Sequence, residues 1–231
     1  MNSGTSTWLF LDSGAGSAAF NMALDEALLE AMPRLGRPVL RFYGWTEPAA
    51  SFGYFQSHVS VEKLTPLRPL VRRPTGGGLV PHDADWTYSV CFPARHAWWS
   101  LRAVESYRRV HEWVQAAMAS LGQTTALAAT AHKAAGGQCF SGYEMSDVLW
   151  CGHKIAGAAQ RRTRLGLLIQ GSVQPHELRV TRAAWQKAML KWAEETQTVE
   201  WTRFEPDLAL RERAERLAAQ KYSQENYSRR K

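Results

Sequence analysis

The sequence predicts an α+β domain of 231 residues, and three patterns carry that prediction. Runs of β-branched and aromatic residues, each stopped by glycine or a polar cluster, recur from residue 8 to residue 173. Apolar positions at helical spacing recur over 17–32 and 103–121, and again near the end of the chain. Between them lies Val71-Arg72-Arg73-Pro74-Thr75-Gly76-Gly77-Gly78-Leu79-Val80-Pro81-His82-Asp83, a stretch that no core requires. The length suits one domain over 1–231 with a full core. A shallow boundary is expected near Gln174-Pro175, before a helical C-terminal segment over about 183–222.

Trp8-Leu9-Phe10-Leu11 reads as the first strand, ended by Asp12-Ser13-Gly14. A helix follows over 17–32, with Phe20, Leu24, Leu28 and Ala31 at helical spacing and Ser17 as N-cap. Asn21, Asp25 and Glu26 fall on its flank, where solvated or capping roles are expected. Val39-Leu40-Arg41-Phe42-Tyr43 is strand-like and stopped by Gly44. Residues 49–56 read as the next strand, with Gly53 marking a bulge or a close approach to a ligand. Beyond the glycine-rich stretch, 86–92 is again strand-like. Residues 103–121 form the clearest helix: Tyr107, Val110, Val114, Met118 and Leu121 make one stripe, and Gly122 fits C′. The small-residue segment 124–137 predicts a mobile loop hinged at Gly136-Gly137. Residues 147–151 and 154–160 predict a hairpin around Gly152-His153, and a turn at Arg162-Thr163-Arg164 leads into a strand over 165–173. Helices over 183–195 and 207–222 follow, and the basic tail to Lys231 is expected to fray.

Lys and Arg number 28 against 21 Asp and Glu, a net charge of +7 that favours acidic partners. The basic residues are scattered and not gathered on one helix, which argues against a nucleic-acid surface. No apolar run reaches the length of a membrane span, and residues 1–7 have neither signal nor transit character. The odd set Cys91, Cys139 and Cys151 points to a reducing cytoplasm and not to a disulfide framework.

Three consecutive glycines bury almost nothing and lose the most backbone entropy on ordering. They suit a place where backbone N–H groups meet a ligand, with Arg72 and Arg73 adding fixed positive charge. The alternative is a plain hairpin turn with solvated arginines. No Lys-Ser/Thr follows the glycines, which excludes a P-loop, and the spacing excludes a dinucleotide fingerprint. On a strand starting at Lys154, alternation puts Lys154, Ala156, Ala158 and Gln160 on one face. A lysine beside two alanines leaves a groove for an extended apolar chain ending in a carbonyl or an anion. The alternative is an edge-strand lysine. Cys139 follows the Gly-Gly hinge, and its thiolate would need a cation such as Lys154 nearby. Cys91 and Cys151 read as small buried hydrophobes. Asp147 would bind Mg2+ or cap the hairpin. His82-Asp83 has no third ligand at zinc spacing, and the residue order offers no Ser-His-Asp arrangement.

Five stretches taken together resemble the lipoate–protein ligase A / octanoyltransferase family over about residues 8–174. They are Phe20-Asn21-Met22-Ala23-Leu24-Asp25-Glu26, Arg41-Phe42-Tyr43-Gly44-Trp45, Gly53-Tyr54-Phe55-Gln56, the 72–78 loop with His82-Asp83, and Lys154-Ile155-Ala156-Gly157 with Ala159-Gln160. The resemblance implies a mixed β-sheet flanked by helices, the class II synthetase-like fold of biotin and lipoate–protein ligase catalytic domains. It implies an acyl pocket between the glycine-rich loop and the lysine strand. It also implies transfer of an octanoyl or lipoyl group to a lysine of a lipoyl carrier domain, in a 2-oxoacid dehydrogenase E2 or a glycine cleavage H protein. The enzyme would be a cytoplasmic monomer with no membrane or nucleic-acid partner. Lys154 matches the catalytic lysine. Arg72, Arg73, Thr75, Gly76, Gly77, Gly78 and His82 match the acyl- or adenylate-binding loop, faced by Gly157, Ala158 and Ala159.

Two branches of the family compete. In the octanoyltransferases a cysteine thiolate takes octanoyl from acyl carrier protein without a cofactor, and Cys139-Phe140 matches that position. Trp86-Thr87-Tyr88-Ser89-Val90 and the short length are similar too. In the ligases ATP and Mg2+ first form an acyl adenylate. Gly76-Gly77-Gly78 and Ser146-Asp147 lean that way, because the transferases commonly carry arginine where Gly78 stands. Gln170 replaces a histidine usual in the family, which points to a changed contact or acyl group. The transferase is the preferred expectation and the ATP-dependent ligase the alternative. A non-catalytic acyl- or nucleic-acid-binding module is the remote third.

Overall fold

The computed structural model describes residues 5–132, 140–175 and 178–230. Elements follow in the order β1 (Ser6–Gly16), α1 (Ala18–Leu35), β2 (Val39–Trp45), β3 (Ala49–Phe52), α2 (His58–Glu62), β4 (Leu70–Arg72), β5 (Val80–His82) and β6 (Trp86–Pro93). Then come α3 (Ala97–Ser100), α4 (Ala103–Ser120), β7 (Ala126–Leu127), β8 (Val148–Trp150), β9 (His153–Arg162) and β10 (Gly166–Val173). The chain continues with α5 (Arg182–Gln197), β11 (Val199–Arg203), α6 (Leu208–Leu217), a π-turn (Ala218–Tyr222) and α7 (Glu225–Arg229). Eight strands form one mixed sheet in the order β11-β1-β2-β6-β10-β9-β8-β7, and β4-β3-β5 form a small second sheet. β1 runs parallel to β11 and β2, and the pairs from β2 through β7 are antiparallel. This is the expected mixed sheet flanked by helices.

Neighbouring residues on the central strands point into two different cores, because side chains alternate across a sheet. Trp8, Phe42, Tyr88, Phe92 and Leu167 join α4 and α5 through Val110, Trp113, Val114, Trp185 and Met189. Leu9, Tyr43, Cys91 and Leu168 join α1 and α6 through Met22, Leu28, Met32 and Leu210. Burial on both faces explains why these strands read as nearly continuous apolar runs.

Several local readings agree with the structure. Ser17 Oγ accepts from the Phe20 N–H as N-cap, and α4 ends as expected, with Gly122 left-handed at φ 74°. Others change. Asn21, Asp25 and Glu26 are buried, not solvated: the sheet beneath α1 carries Arg41, Ser89 and Gln170 against the first two, and Lys221, Tyr222 and Arg161 close over Glu26. The first strand does not end at Asp12: β1 continues to Gly16 through an irregularity between Asp12 and Ala15. β3 stops at Phe52, where the Gln56 side chain turns back to accept from the Gly53 N–H. Gly53 is a close approach of chain to chain, since a Cβ there would sit 1.9 Å from the Gly77 carbonyl oxygen.

The segment expected to be a mobile loop contains β7 and a bridge between His132 and Tyr143; Gly136-Gly137 lies outside the described residues. The hairpin turn is centred on Cys151-Gly152, both at positive φ, so Cys151 is exposed and not a buried hydrophobe. Beyond Gln174-Pro175 the chain still packs on the sheet: Trp185 meets Phe42, Trp86 and Tyr88, and β11 extends the main sheet. The tail is not frayed through 230: it forms α7, and Tyr227 and Ser228 are buried.

Candidate active site

A cavity of about 480 Å3 opens between the two sheets. Its floor is a cross-strand row of the main sheet, Tyr43–Thr87–Ser172–Gly157, fixed by the registers of β2, β6, β10 and β9. Three strand spacings make that row about 14 Å long. The roof comes from the small sheet and its loop, through Ser51, Arg73, Gly77, Gly78, Val80 and His82. The volume lies in the range of small-molecule sites, about 300–1,000 Å3.

Lys154 stands at one end of the row. Its Nζ is 2.7 Å from Asp147 Oδ2, with the two side chains 3% and 0% exposed. Asp147 also accepts from the Glu144 N–H at 2.7 Å and from Tyr107 Oη at 3.3 Å. Burial raises the Asp147 pKa, and the lysine beside it opposes that rise. The strict alternation expected along this strand fails, because the β8–β9 register shifts between Val148 and Leu149. Ala156 is packed in the α4-side core and Gln160 bonds Ser106 and the Ala103 carbonyl. The Lys154 side chain instead lies across Gly157, where an added Cβ would be 2.6 Å from Cε and 2.8 Å from Nζ.

The glycine-rich loop is organised by Arg73. Its guanidinium donates to the carbonyls of Gly76 and Gly78 and to Ser51, so the loop is wrapped around a cation. Gly77, at φ 86°, lies against Arg73 and Ala159. His82 stacks on Trp45 at 3.8 Å, with Nε2 2.8 Å from Ser51 Oγ and Nδ1 2.9 Å from Asp85 Oδ2. Its carboxylate partner is therefore Asp85 and not the adjoining Asp83. A Ser51–His82–Asp85 hydrogen-bond chain exists that the residue order did not reveal. Thr87 and Ser172 also donate to Asp85 Oδ2.

Beside the floor, on the same face of the sheet, lies a buried polar network. Asp25 accepts from Arg41 at 2.7 Å, Tyr43 at 3.1 Å, Ser89 at 2.7 Å and Gln170 at 2.7 Å. Gln170 lines the cavity and accepts from Thr75 Oγ1 at 2.8 Å. The residue that departs from the family pattern thus joins the glycine-rich loop to the Asp25 network.

Lys154, Arg73, Gly77, Gly78, His82, Gly157, Ala158 and Ala159 share the cavity wall. Thr75 touches it only through Gln170. Arg72 is not among the residues lining the cavity: its buried guanidinium donates to the backbone carbonyls of Tyr54, Gln56, Tyr227, Ser228 and Arg230. Cys139 lies outside the described residues; the ring of the next residue, Phe140, is 5.1 Å from Lys154 Nζ. Met22, Tyr43, Ser51, Gln56, Thr87 and Tyr107 line the cavity without having been singled out. Tyr107 was hidden in a stripe that reads as core, and Tyr43 and Thr87 in strand runs.

Asp147 is the carboxylate nearest Lys154 in the cavity wall region. Among the described residues no three His, Cys, Asp or Glu side chains group to hold a metal ion, and Asp147 is engaged by Lys154, Glu144 and Tyr107.

Residues 17–177 match the lipoyl protein ligase A/B catalytic domain family. The chain belongs to that family. Among curated proteins it is 37% identical over 186 residues to the octanoyltransferase LipM of Anoxybacillus flavithermus, covering 73% of this chain and 66% of that protein. It is 36% identical over 184 residues to the octanoyltransferase LipM of Bacillus subtilis, covering 72% and 65%. The chain thus spans just under two thirds of the length of these relatives. Among solved structures, a lipoate-protein ligase A bound with ATP superposes with a TM-score of 0.79 at 20% identity, covering 97% of this chain and 98% of that one. A bi-partite lipoate protein ligase from Thermoplasma acidophilum gives 0.73 at 20% identity, covering 97% and 96%. At that identity the two structures speak for the fold alone. No described helix is long and apolar enough to cross a membrane.

Proposed function

We infer that this chain transfers an octanoyl group from acyl carrier protein to a lysine of a lipoyl carrier domain. The observation that carries the reading is Lys154, whose ammonium is held by Asp147 across Gly157 at the end of the acyl-sized cavity. The octanoyltransferase names of its relatives support the transferase over the ligase. The Cys139 thiolate attacks the carbonyl carbon of the donor thioester, and the Lys154 ammonium faces the oxyanion that forms. The carbon–sulfur bond to the carrier breaks and the carrier leaves as a thiolate, which takes up from solvent the proton that Cys139 lost on ionising. The acceptor's lysine amine then attacks the Cys139 thioester, the new amide forms, and the cysteine is released. The acyl chain lies along the row from Gly157 toward Tyr43.

The test supplies an apo lipoyl domain with either octanoyl carrier protein or lipoate plus ATP. Octanoylation with the first donor, and an octanoyl adduct on Cys139 by mass spectrometry, are expected. Modification only with lipoate plus ATP, or full activity of Cys139→Ser, would sink the reading.

A further inference from the structure

We propose that Arg72 is a positioning residue which, with α7, forms a strap that sets the rim of the cavity. The proposal rests on the acyl-transfer reading only for the identity of the cavity's ligand.

Arg72 is 2% exposed. A guanidinium has five N–H donors, and here each one meets a backbone carbonyl. Nη1 donates to Tyr54 at 2.6 Å and Gln56 at 2.8 Å, both in the turn after β3. Nη2 donates to Ser228 at 2.8 Å and Arg230 at 2.9 Å, and Nε to Tyr227 at 3.3 Å. One prong of the fork therefore holds the rim turn and the other two hold α7 and its end. The guanidinium also lies 4.8 Å from the Phe52 ring centroid. A lysine has three donors around one atom and cannot span these two groups of carbonyls.

Two further ties hold the tail. The Arg230 guanidinium sits between the rings of Tyr54, at 4.1 Å, and Tyr227, at 4.3 Å. Lys221 and Tyr222 both donate to Glu26 of α1. On the other side, the rim turn bears directly on the cavity. Gln56 lines it, the Tyr54 N–H donates to the Thr75 carbonyl at 2.9 Å, and Gly53 is pressed against Gly77. A contiguous path thus runs from α7 through Arg72 to the glycine-rich loop.

The test compares Arg72→Lys and Arg230→Ala in the full chain by hydrogen exchange and by octanoyl-transfer kinetics. In Arg72→Lys, exchange over 53–56 and 76–78 should rise roughly tenfold, and the KM for the octanoyl donor should rise about tenfold with kcat within about twofold. Arg230→Ala should move both in the same direction by less. If 225–229 loosens while 53–56, 76–78 and KM stay as in the parent, α7 only adds stability and the proposal is overturned. A fall in kcat at unchanged KM overturns it too. If Arg72→Lys fails to fold, Arg230→Ala decides on the same two readouts. If the parent protein transfers no octanoyl group, the acyl reading fails, and the exchange data alone decide the strap.

Discussion

Replacing Gly157 by alanine adds one methyl group at the point where Lys154 crosses its own strand. The new Cβ would lie 2.6 Å from Lys154 Cε, 2.8 Å from Nζ and 3.3 Å from Asp147 Oδ1. Gly157 is not at positive φ, so its backbone tolerates alanine and the conflict is steric. The atoms that must yield are the far end of a flexible side chain. The fold can therefore relax by moving the ammonium, but that movement separates it from Asp147. Stability has a ceiling of about 3–5 kcal/mol, the loss when a buried ion pair is broken outright. Relaxation of the lysine and protonation of Asp147, whose pKa burial already raises, reduce it toward the ~1–3 kcal/mol typical of overpacking. At roughly 2–4 °C per kcal/mol for a chain of this size, the melting temperature should fall by about 2–12 °C. Catalysis should suffer far more, because a misplaced oxyanion donor costs on the order of a hundred- to a thousandfold in rate. Octanoyl transfer to a lipoyl domain and a thermal melt, run on the same preparation, separate the two effects. A Gly157→Ala protein within twofold of the parent's activity would refute the placement of Lys154 as the group facing the reacting carbonyl.

Three other outcomes follow from the buried polar groups. His111 is buried on α4, and burial together with the Lys154 charge pushes its pKa down to about 3. Below pH about 6.5 the unfolded chain binds a proton that the folded one refuses, so stability drops with falling pH by up to ~1.4 kcal/mol per pH unit. Urea midpoints at pH 7 and 4.5 should converge in His111→Leu relative to the parent; equal slopes would show that the imidazole is not held neutral. Arg41→Met removes the cation that pairs with buried Asp25 and should destabilise by about 3–5 kcal/mol in denaturant unfolding, and a loss under about 1 kcal/mol, the size of a surface pair, would contradict this pair as a tie between α1 and the sheet. Gln170→Leu strips partners from both Thr75 and Asp25 and should cost about 1–3 kcal/mol in the same assay. An unchanged midpoint would mean that the glycine-rich loop is not tethered through this glutamine.

Much of this molecule is local and was readable. Ser17 caps α1 because its hydroxyl meets an N–H three residues on, and the α4 stripe is a matter of spacing. β4, β5 and β11 are short, and β11 is an edge strand with a partly exposed face, so they leave little periodicity to detect. The same holds for α2, α3 and α7, each of four or five residues. In the site, glycines and a lysine stood out because their residue types are costly without a ligand. The polar residues around them did not stand out. Asn21 and Asp25 on a helix flank look solvated until the sheet beneath is known to carry Arg41, Ser89 and Gln170.

The order of residues was enough for the long helices and strands, for the family, and for the expectation that Lys154 and the glycine-rich loop share a site. Those depend on spacing and on residue types that act within a few positions. Packing across the fold settled where each charge points. It turned Arg72 toward the tail and Arg73 toward the loop, although they are adjacent in sequence. It laid Lys154 over Gly157 by shifting one strand register. A charged side chain's partner is set by what lies across the fold, and sequence order carries no record of that distance.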